Sequence, residues 1–274
     1  MIKFATDKSI ELNINAKVNI SLAIVGRNLT SYHKLDTVMA EIGICDTVRV
    51  STREDSDINI SYTTGESYKN DIALKMAEVI QSTFNTTGVD IVITKRIPEG
   101  CGVGGSSADA AGVARAMARL FDIVIDNNML LSVGSDVPYM YVGGLKRVKD
   151  CGSCTEEVSL FPLYGVLIYK DELLVSTKEA FAMYDEIGGD NADIDAVIAG
   201  GKLSNALEHS ALIIEPKIAE LKQCLVDCGF SEVVMTGSGS GYIGASYDKN
   251  VYITALNKLI NTQNDGFHIV EFQV

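Results

Sequence analysis

The sequence predicts an α+β fold, because strand-like and helix-like segments alternate along a chain without internal repeats. Three consecutive segments carry this prediction. Residues 89–94 are β-branched except for Asp90 and indicate a strand, residues 97–107 are rich in glycine, and residues 108–120 contain strong helix formers. A strand, a glycine-rich loop and a helix in this order are typical of a phosphate site, because backbone N–H groups can approach an anion there.

The glycine-rich loop is compatible with a purely structural turn, and two common nucleotide-binding motifs fit it poorly. A P-loop requires lysine after its last glycine, whereas Gly105 is followed by Ser106 and Ser107. The dinucleotide fingerprint requires a third glycine at the position where this chain has Ser107. The loop therefore predicts a phosphate-handling protein of another class.

The other elements follow from the same patterns. Residues 10–22 and 47–51 indicate strands, and the apolar residues of 71–84 recur at helical spacing. The C-terminal half has its own strands, helices and turns. We expect strands over 163–169 and 242–245, helices over 176–184 and 215–228, a tight turn at 134–138, and a second glycine-rich turn at 236–241.

Length and composition limit the organisation of the chain. Its 274 residues, of which 47% are hydrophobic, are enough for one large or two modest domains. Glycines at 143 and 144 and the Cys151-Gly152 pair indicate a boundary near residue 150. We therefore expect one domain over residues 1–150 and a second over residues 151–274.

The net charge of −13 argues against binding to nucleic acid or to an anionic membrane, both of which favour a basic surface. It leaves room for a small anionic ligand, because local donors and a divalent cation can offset the overall charge. No apolar run reaches the ~20 residues that a membrane span needs. The first eight residues show no apolar leader, so we expect a cytoplasmic protein.

Six cysteines are present, and in an intracellular chain we expect them to be reduced. One alternative is a four-thiolate zinc site. It would use Cys151, Cys154, Cys224 and Cys228, although the two pairs differ in spacing and lie about 70 residues apart.

Several polar residues are candidates for phosphoryl transfer, and each has a simpler structural alternative. Ser106 or Ser107 could bind Mg²⁺ or cap the following helix. Asp136 could be a catalytic base or an ordinary turn aspartate. Lys17 interrupts an apolar strand and could lie on a solvated face, or point into a cleft beside Asp136 and stabilise phosphate charge.

Two further segments leave alternatives open. Tyr32 and His33, in a polar loop, could hold a flat ring or be exposed without a role. The glycine-rich segment 236–241 could close over phosphates or be a simple hairpin turn.

Taken together, three of these segments resemble the three motifs of the GHMP kinases in order and spacing. Residues 15–19 resemble the first motif, residues 98–111 the second, which is the long phosphate loop, and residues 235–240 the third. The resemblance is strongest to the branch that phosphorylates a cytidyl-diphospho-methylerythritol. The stretches that support it are 16–20, 26–27, 32–35, 46–48, 94–98, 104–111 and 134–138, with weaker matches at 175–177 and 205–208.

The resemblance implies a two-lobed α+β kinase, with an N-terminal lobe like ribosomal protein S5 and a ferredoxin-like C-terminal lobe. It implies ATP and Mg²⁺ as cofactors and transfer of the γ-phosphoryl group to a tertiary 2-hydroxyl in isoprenoid precursor synthesis. Asp136 would be the base and Lys17 its partner, and Ser107 would contact Mg²⁺.

The resemblance also implies roles for residues around the nucleotide and the acceptor. The residues that would contact ATP are Lys95, Pro98, Gly100, Gly102, Gly104, Gly105, Ser106, Ser107, Ala108 and Asp109. Those that would contact the acceptor are Asn19, Tyr32, His33 and Thr177, with Tyr32 and His33 near the cytosine. Gly237, Ser238 and Gly239 would close over the phosphates.

Two other functions stay open. A GHMP kinase could use a different small alcohol as its acceptor. Alternatively, the chain could bind nucleotide without catalysis, because the segment 121–132 before Asp136 is shorter than in the resembling family. We expect a small-molecule substrate in either kinase case, and either a monomer or a homodimer.

Overall fold

The computed structural model describes residues 8–29, 32–262 and 266–274, so most of the N-terminal segment considered for a leader lies outside the described residues. The described strands are β1 (Ser9–Arg27), β2 (His33–Thr52), β3 (Ile58–Tyr62), β4 (Val89–Thr94), β5 (Lys146–Asp150), β6 (Cys154–Glu157), β7 (Tyr164–Tyr169), β8 (Glu232–Met235), β9 (Tyr242–Ser246) and β10 (His268–Gln273). The described helices are α1 (Ile72–Phe84), α2 (Gly105–Phe121), α3 (Asn127–Leu131), α4 (Val137–Val142), α5 (Thr177–Ile187), α6 (Ile194–Ile198), α7 (Glu208–Ile214), α8 (Ile218–Cys228) and α9 (Lys249–Asn261).

The chain divides into two compact units, each made of three stretches. Unit 1 contains Met1–Ala16, Ile44–Ile97 and Gly104–Val142, and unit 2 contains Lys17–Gly43, Pro98–Val103 and Gly143–Val274. The mixed α+β fold is confirmed, and the domain boundary near residue 150 stays a prediction. None of the helices in the described ranges is long and apolar enough to cross a membrane.

Unit 1 packs helices α1 and α2 with a small mixed sheet. The C-terminal part of β2 pairs antiparallel with β4, and β4 pairs parallel with β3. Helix α1 begins after Asp71, whose carboxylate accepts hydrogen bonds from the backbone N–H groups of Ala73 and Leu74. Helix α2 is rich in alanine, and a Cβ on Gly112 would lie 2.7 Å from the side chain of Val48. Small residues therefore let α2 pack closely on the sheet.

Unit 2 contains a four-stranded antiparallel sheet in the order β10-β7-β9-β8. Helices α8 and α9 pack on it and bury a cluster that includes Val166, Ile168, Leu221, Leu225 and Leu259. The N-terminal part of β2 pairs with β5, which pairs in turn with β6.

Several predicted boundaries need correction. Helix α8 begins at Ile218 rather than 215, because Pro216 favours an extended conformation in Glu215, whose φ and ψ are −132° and 85°. Helix α2 begins at Gly105, three residues before the predicted start, and β1 continues five residues past 22 to Arg27. The strand predicted over 89–94 is confirmed as β4.

Candidate active site

Strand β1 places Lys17 inside unit 2. Residues 16–24 of β1 are buried on both faces, so the face that carries Lys17, Asn19 and Ser21 is covered as well. Only 3% of Lys17 is exposed, which excludes the solvated-face alternative. The Lys17 ammonium donates hydrogen bonds to the backbone oxygen of Gly102 at 2.8 Å and to Asn19 Oδ1 at 2.5 Å. The first motif therefore contacts the glycine loop through a buried positive charge.

Asn19 connects the first motif to the third. Its backbone N–H donates to Thr236 Oγ1 at 2.8 Å, and its side-chain amide donates to Thr37 Oγ1 at 2.8 Å. The Thr37 hydroxyl donates in turn to the backbone oxygen of Ser21 at 2.6 Å. Because these groups are buried and hydrogen-bonded, the orientation of Asn19 is fixed.

The first half of the glycine loop, residues 98–103, packs against the turn between β8 and β9. The backbone N–H of Ser240 donates to the oxygen of Gly100 at 3.0 Å, and that of Gly241 donates to the oxygen of Cys101 at 3.2 Å. Gly100 and Gly102 have φ values of +65° and +74°, a region that favours glycine. The glycines of this half of the loop therefore serve its backbone conformation and its close contact with the turn.

The turn after β8 is held from two sides. The side-chain amide of Asn205 donates to the backbone oxygens of Met235 at 2.7 Å and Gly237 at 2.8 Å. The hydroxyl of Ser238 lies 2.8 Å from that of Thr177, the first residue of α5. Two predicted site residues, Ser238 and Thr177, therefore come together in unit 2. Asn205 was quoted in a weaker match but given no role.

His33 lies in an aromatic and charged cluster of unit 2. Its ring stacks on that of Phe181, with centroids 4.7 Å apart, and meets the edge of Tyr184 at 6.2 Å. Its Nε2 atom lies 2.7 Å from Asp185 Oδ1. Tyr32, by contrast, is 71% exposed. The sequence did not single out Asp185, although its position four residues after Phe181 puts both on one face of a helix.

In unit 1, Gly104 is the N-cap of α2 and no side chain caps this helix end. The alternative that Ser106 or Ser107 caps the helix is therefore wrong, because both lie within its first turn. A helix start without a side-chain cap presents N–H groups, and with them the positive end of the helix dipole. This arrangement can bind an anion.

Lys95, predicted to contact ATP, forms ion pairs with two buried carboxylates. Its Nζ atom lies 2.5 Å from Asp46 Oδ2 and 2.7 Å from Asp109 Oδ2. The other oxygen of Asp46 accepts hydrogen bonds from the backbone N–H groups of Arg96 and Ile97. An ammonium has three N–H donors, and these two ion pairs use two of them, which leaves one for a ligand. Contact of Lys95 with ATP stays a prediction. Asp46 lies in the stretch 46–48 that supports the resemblance, but no role was predicted for it.

Burial controls the charges of this cluster. It raises the pKa of the Asp109 carboxyl to about 8, against the opposing effect of the Lys95 ammonium, and the Asp46 carboxylate makes a smaller contribution in the same direction as burial. For Lys95, burial acts in the opposite sense, but the Asp109 and Asp46 carboxyl groups outweigh it and raise its pKa. Asp109 Oδ1 has no hydrogen-bond partner among the described residues. Burial therefore favours the neutral form of Asp109.

Asp136 lies in unit 1, directly before α4, and is half-buried. Its backbone oxygen accepts a hydrogen bond from Met140 N–H at 2.9 Å, as expected for a residue that starts a helical turn. Its role as a base, and its partnership with Lys17 of unit 2, stay predictions.

The four-thiolate alternative finds no support. Within the ranges that the structure covers, no group of three or more His, Cys, Asp or Glu residues could hold a metal ion. All six cysteines are free thiols.

The chain matches known proteins over most of its length. The sequence profile of the GHMP kinases N terminal domain matches residues 71–144. The 4-diphosphocytidyl-2-C-methyl-D-erythritol kinase of Desulfitobacterium hafniense is 32% identical over 253 residues, which cover 86% of each chain. The enzyme of the same name from Alkaliphilus metalliredigens is 30% identical over 256 residues, covering 86% of this chain and 88% of its own. This chain belongs to the same kinase family.

Solved structures agree with this membership. The crystal structure of a 4-(cytidine 5'-diphospho)-2C-methyl-D-erythritol kinase matches with a TM-score of 0.75 and 26% identity, covering 96% of this chain and 98% of that one. Homoserine kinase from Cytophaga hutchinsonii has a TM-score of 0.72 at 16% identity and shares the fold. The protein is therefore a small-molecule kinase with the GHMP fold, and the predicted family and fold are confirmed.

Proposed function

We propose that this kinase transfers the γ-phosphoryl group of ATP to the 2-hydroxyl of 4-diphosphocytidyl-2-C-methyl-D-erythritol. The observation that carries the proposal is the contact of Lys17 with the oxygen of Gly102 and of Asn19 with Thr236. Through these contacts, parts of all three predicted motifs share unit 2. The named relatives support the choice of acceptor.

The glycine loop and the start of α2 fit the phosphates of a nucleotide. Positive φ values at Gly100, Gly102 and Gly104 allow a backbone that turns N–H groups toward an anion, and α2 has no side-chain cap. When bound, Mg²⁺ supplies positive charge that offsets the phosphate oxygens, and the Ser107 hydroxyl is its proposed ligand. The residues proposed to hold ATP are Lys95, Pro98, Gly100, Gly102, Gly104, Gly105, Ser106, Ser107, Ala108 and Asp109.

Chemistry at the acceptor is assigned to two charged residues. Asp136 orients the acceptor hydroxyl and takes its proton, and Lys17 supplies a fixed positive charge for the transferred phosphoryl group. The hydrogen bonds to Gly102 and Asn19 support this role of Lys17, because they hold its ammonium in one place. Such positioning contributes to catalysis by reducing the reorganisation needed in the transition state.

Other residues are proposed to bind and enclose the substrates. Asn19, Tyr32, His33 and Thr177 bind the acceptor, and Gly237, Ser238 and Gly239 close over the phosphates. The net charge of −13 favours a small-molecule substrate over a nucleic acid, because a negative surface repels the phosphate backbone. A cytoplasmic location and a monomeric or homodimeric state stay predictions.

The test is ADP release with Mg-ATP across a panel of acceptors: the cytidyl-diphosphate substrate, homoserine, mevalonate and galactose. We expect the cytidyl substrate to have a kcat/KM at least a hundredfold above the others. Tyr32→Ala should lower that value, whereas Leu29→Ala, an exposed neighbour in the same loop, should not. Faster turnover of another acceptor would overturn the proposal in favour of a different GHMP kinase. ATP binding without ADP release from any acceptor would indicate a non-catalytic protein.

A further inference from the structure

Helix α5 holds the ring of His33 by its face and by one of its nitrogens. Phe181 stacks on the ring at 4.7 Å, and Asp185, one helical turn later, accepts a hydrogen bond from Nε2 at 2.7 Å. Arg27 of β1 contacts the same oxygen of Asp185. All four residues belong to unit 2. The orientation of the imidazole is therefore fixed by the fold.

These contacts also fix which ring nitrogen carries the proton. Hydrogen bonds from Arg27 and then His33 hold the pKa of the Asp185 carboxyl below its usual range, so this group is ionised and can only accept. Nε2 must therefore be the donor. In a neutral imidazole the other nitrogen, Nδ1, then carries a lone pair and acts as an acceptor.

Nδ1 has no hydrogen-bond partner within the parts of the chain that the structure describes. The His33 side chain is 14% exposed, and Nδ1 is not among the buried side-chain atoms that lack a partner, so it is accessible from outside the fold. An accessible ring acceptor that lacks a partner in the protein can accept a hydrogen bond from a ligand.

We propose that Asp185 is a positioning residue that makes the site selective for cytosine over uracil, by holding His33 with its acceptor nitrogen, Nδ1, toward the base. The proposal rests on the proposed function, in which His33 contacts the base of the substrate. Cytosine presents an amino group at C4, which donates a hydrogen bond, whereas uracil presents a carbonyl oxygen at that position. The oxygen would face the lone pair of Nδ1, and both acceptors would stay unpaired.

Calorimetric titration with CDP and UDP tests this selectivity without requiring turnover. We expect the wild-type protein to bind CDP about tenfold to a hundredfold more tightly than UDP. In Asp185→Asn, the new amide can donate to Nε2 and move the ring proton to Nδ1, so the preference should fall to within about threefold. Glu186→Gln, an exposed change of the same kind at the next residue, should keep the wild-type ratio.

Nitrogen-15 NMR of the imidazole rings gives a second readout that a merely structural role would not move. The chain has only three histidines, which makes the assignment of His33 practicable. We expect the Nε2–H form in the wild-type protein and a shift toward Nδ1–H in Asp185→Asn.

Three results would overturn the inference: a CDP preference unchanged in a folded Asp185→Asn variant, an Nδ1–H ring in the wild type, or no binding of either nucleotide. The proposed function can fail separately. If the protein shows no kinase turnover but keeps the expected preference for CDP, the proposed reaction is refuted and the proposed role of Asp185 in base selectivity still stands.

Discussion

Gly102 and Thr236 are in direct backbone contact: a Cβ on Gly102 would lie 2.1 Å from the carbonyl oxygen of Thr236. Gly102 belongs to the phosphate loop and Thr236 opens the second glycine-rich turn. Since Lys17 also binds the oxygen of Gly102, and Thr236 binds the backbone of Asn19, this contact joins three motifs at one point. The geometry of the loop therefore depends on a position where a side chain cannot fit.

We predict that Gly102→Ala destabilises the protein by about 2–5 kcal/mol, since it combines a clash with backbone strain at positive φ. Gly65→Ala is the matched control, because Gly65 has a similar φ of +78° with open space around its Cα. It should cost only the strain, about 1–2 kcal/mol. Urea denaturation measures the free energy of unfolding of both variants. Equal losses would show that the contact with Thr236 does not constrain Gly102.

Replacement of the buried lysine should damage catalysis more than folding. Lys17→Met keeps the length of the side chain but removes the ammonium, so we expect kcat to fall by about a hundredfold or more. Lys202→Met, at an exposed position, is the control. The measurement is steady-state ADP release, with circular dichroism to verify folding. A folded Lys17→Met variant with near-normal kcat would contradict the role assigned to this residue.

The raised pKa of Asp109 predicts a pH dependence of stability. Its pKa is about 8 in the folded protein and near 3.8 in an unfolded chain, so the native state holds an extra proton between these values. The contribution of Asp109 to the free energy of unfolding is therefore fully present below pH ~4 and is lost as the pH rises through about 8. Asp109→Asn imitates the protonated form and should flatten this dependence.

Urea denaturation of the wild-type and Asp109→Asn proteins at several pH values from 4 to 8 measures the effect. Asp190→Asn, an exposed carboxylate, is the control and should follow the wild-type curve. Parallel curves for the wild type and Asp109→Asn would mean that Asp109 is ionised in the native cluster.

The support of the second glycine-rich turn can be tested at Asn205. Asn205→Asp keeps the size of the side chain but removes both donors and places a carboxylate against the oxygens of Met235 and Gly237. We expect a loss of about 2–4 kcal/mol in stability. Asn250→Asp, at an exposed position early in α9, serves as the control for the chemical change. A loss below about 0.5 kcal/mol in thermal or urea unfolding would show that the turn does not depend on these donors.

Local patterns in the sequence predicted those elements whose periodicity is strong. Strand β4 is β-branched at every position except Asp90, and the helix after the glycine loop is rich in alanine, so both were found close to their true positions. Strand β5, Lys146–Asp150, was missed because four of its five residues are charged. Its place in the sheet comes from pairing with β2 rather than from its own composition.

The candidate site could be predicted only where its residues form motifs. Lys17, Asn19 and the glycine residues lie in such motifs. Asp46 does not reveal its role, because its partner Lys95 is 49 residues away and their ion pair exists only in the folded chain. Asp185 is likewise 152 residues from His33. Contacts over such distances depend on tertiary structure, which no local pattern encodes.

The proposed reaction and its base are tested together by ADP release with Mg-ATP and 4-diphosphocytidyl-2-C-methyl-D-erythritol, comparing the wild-type protein with Asp136→Asn. Asp190→Asn serves as a control for the loss of one carboxylate. We expect rapid turnover in the wild type and in the control, and a decrease of at least a hundredfold in a folded Asp136→Asn protein. Turnover that survives in Asp136→Asn would contradict the assignment of the base, and absence of turnover in the wild type would contradict the proposed reaction.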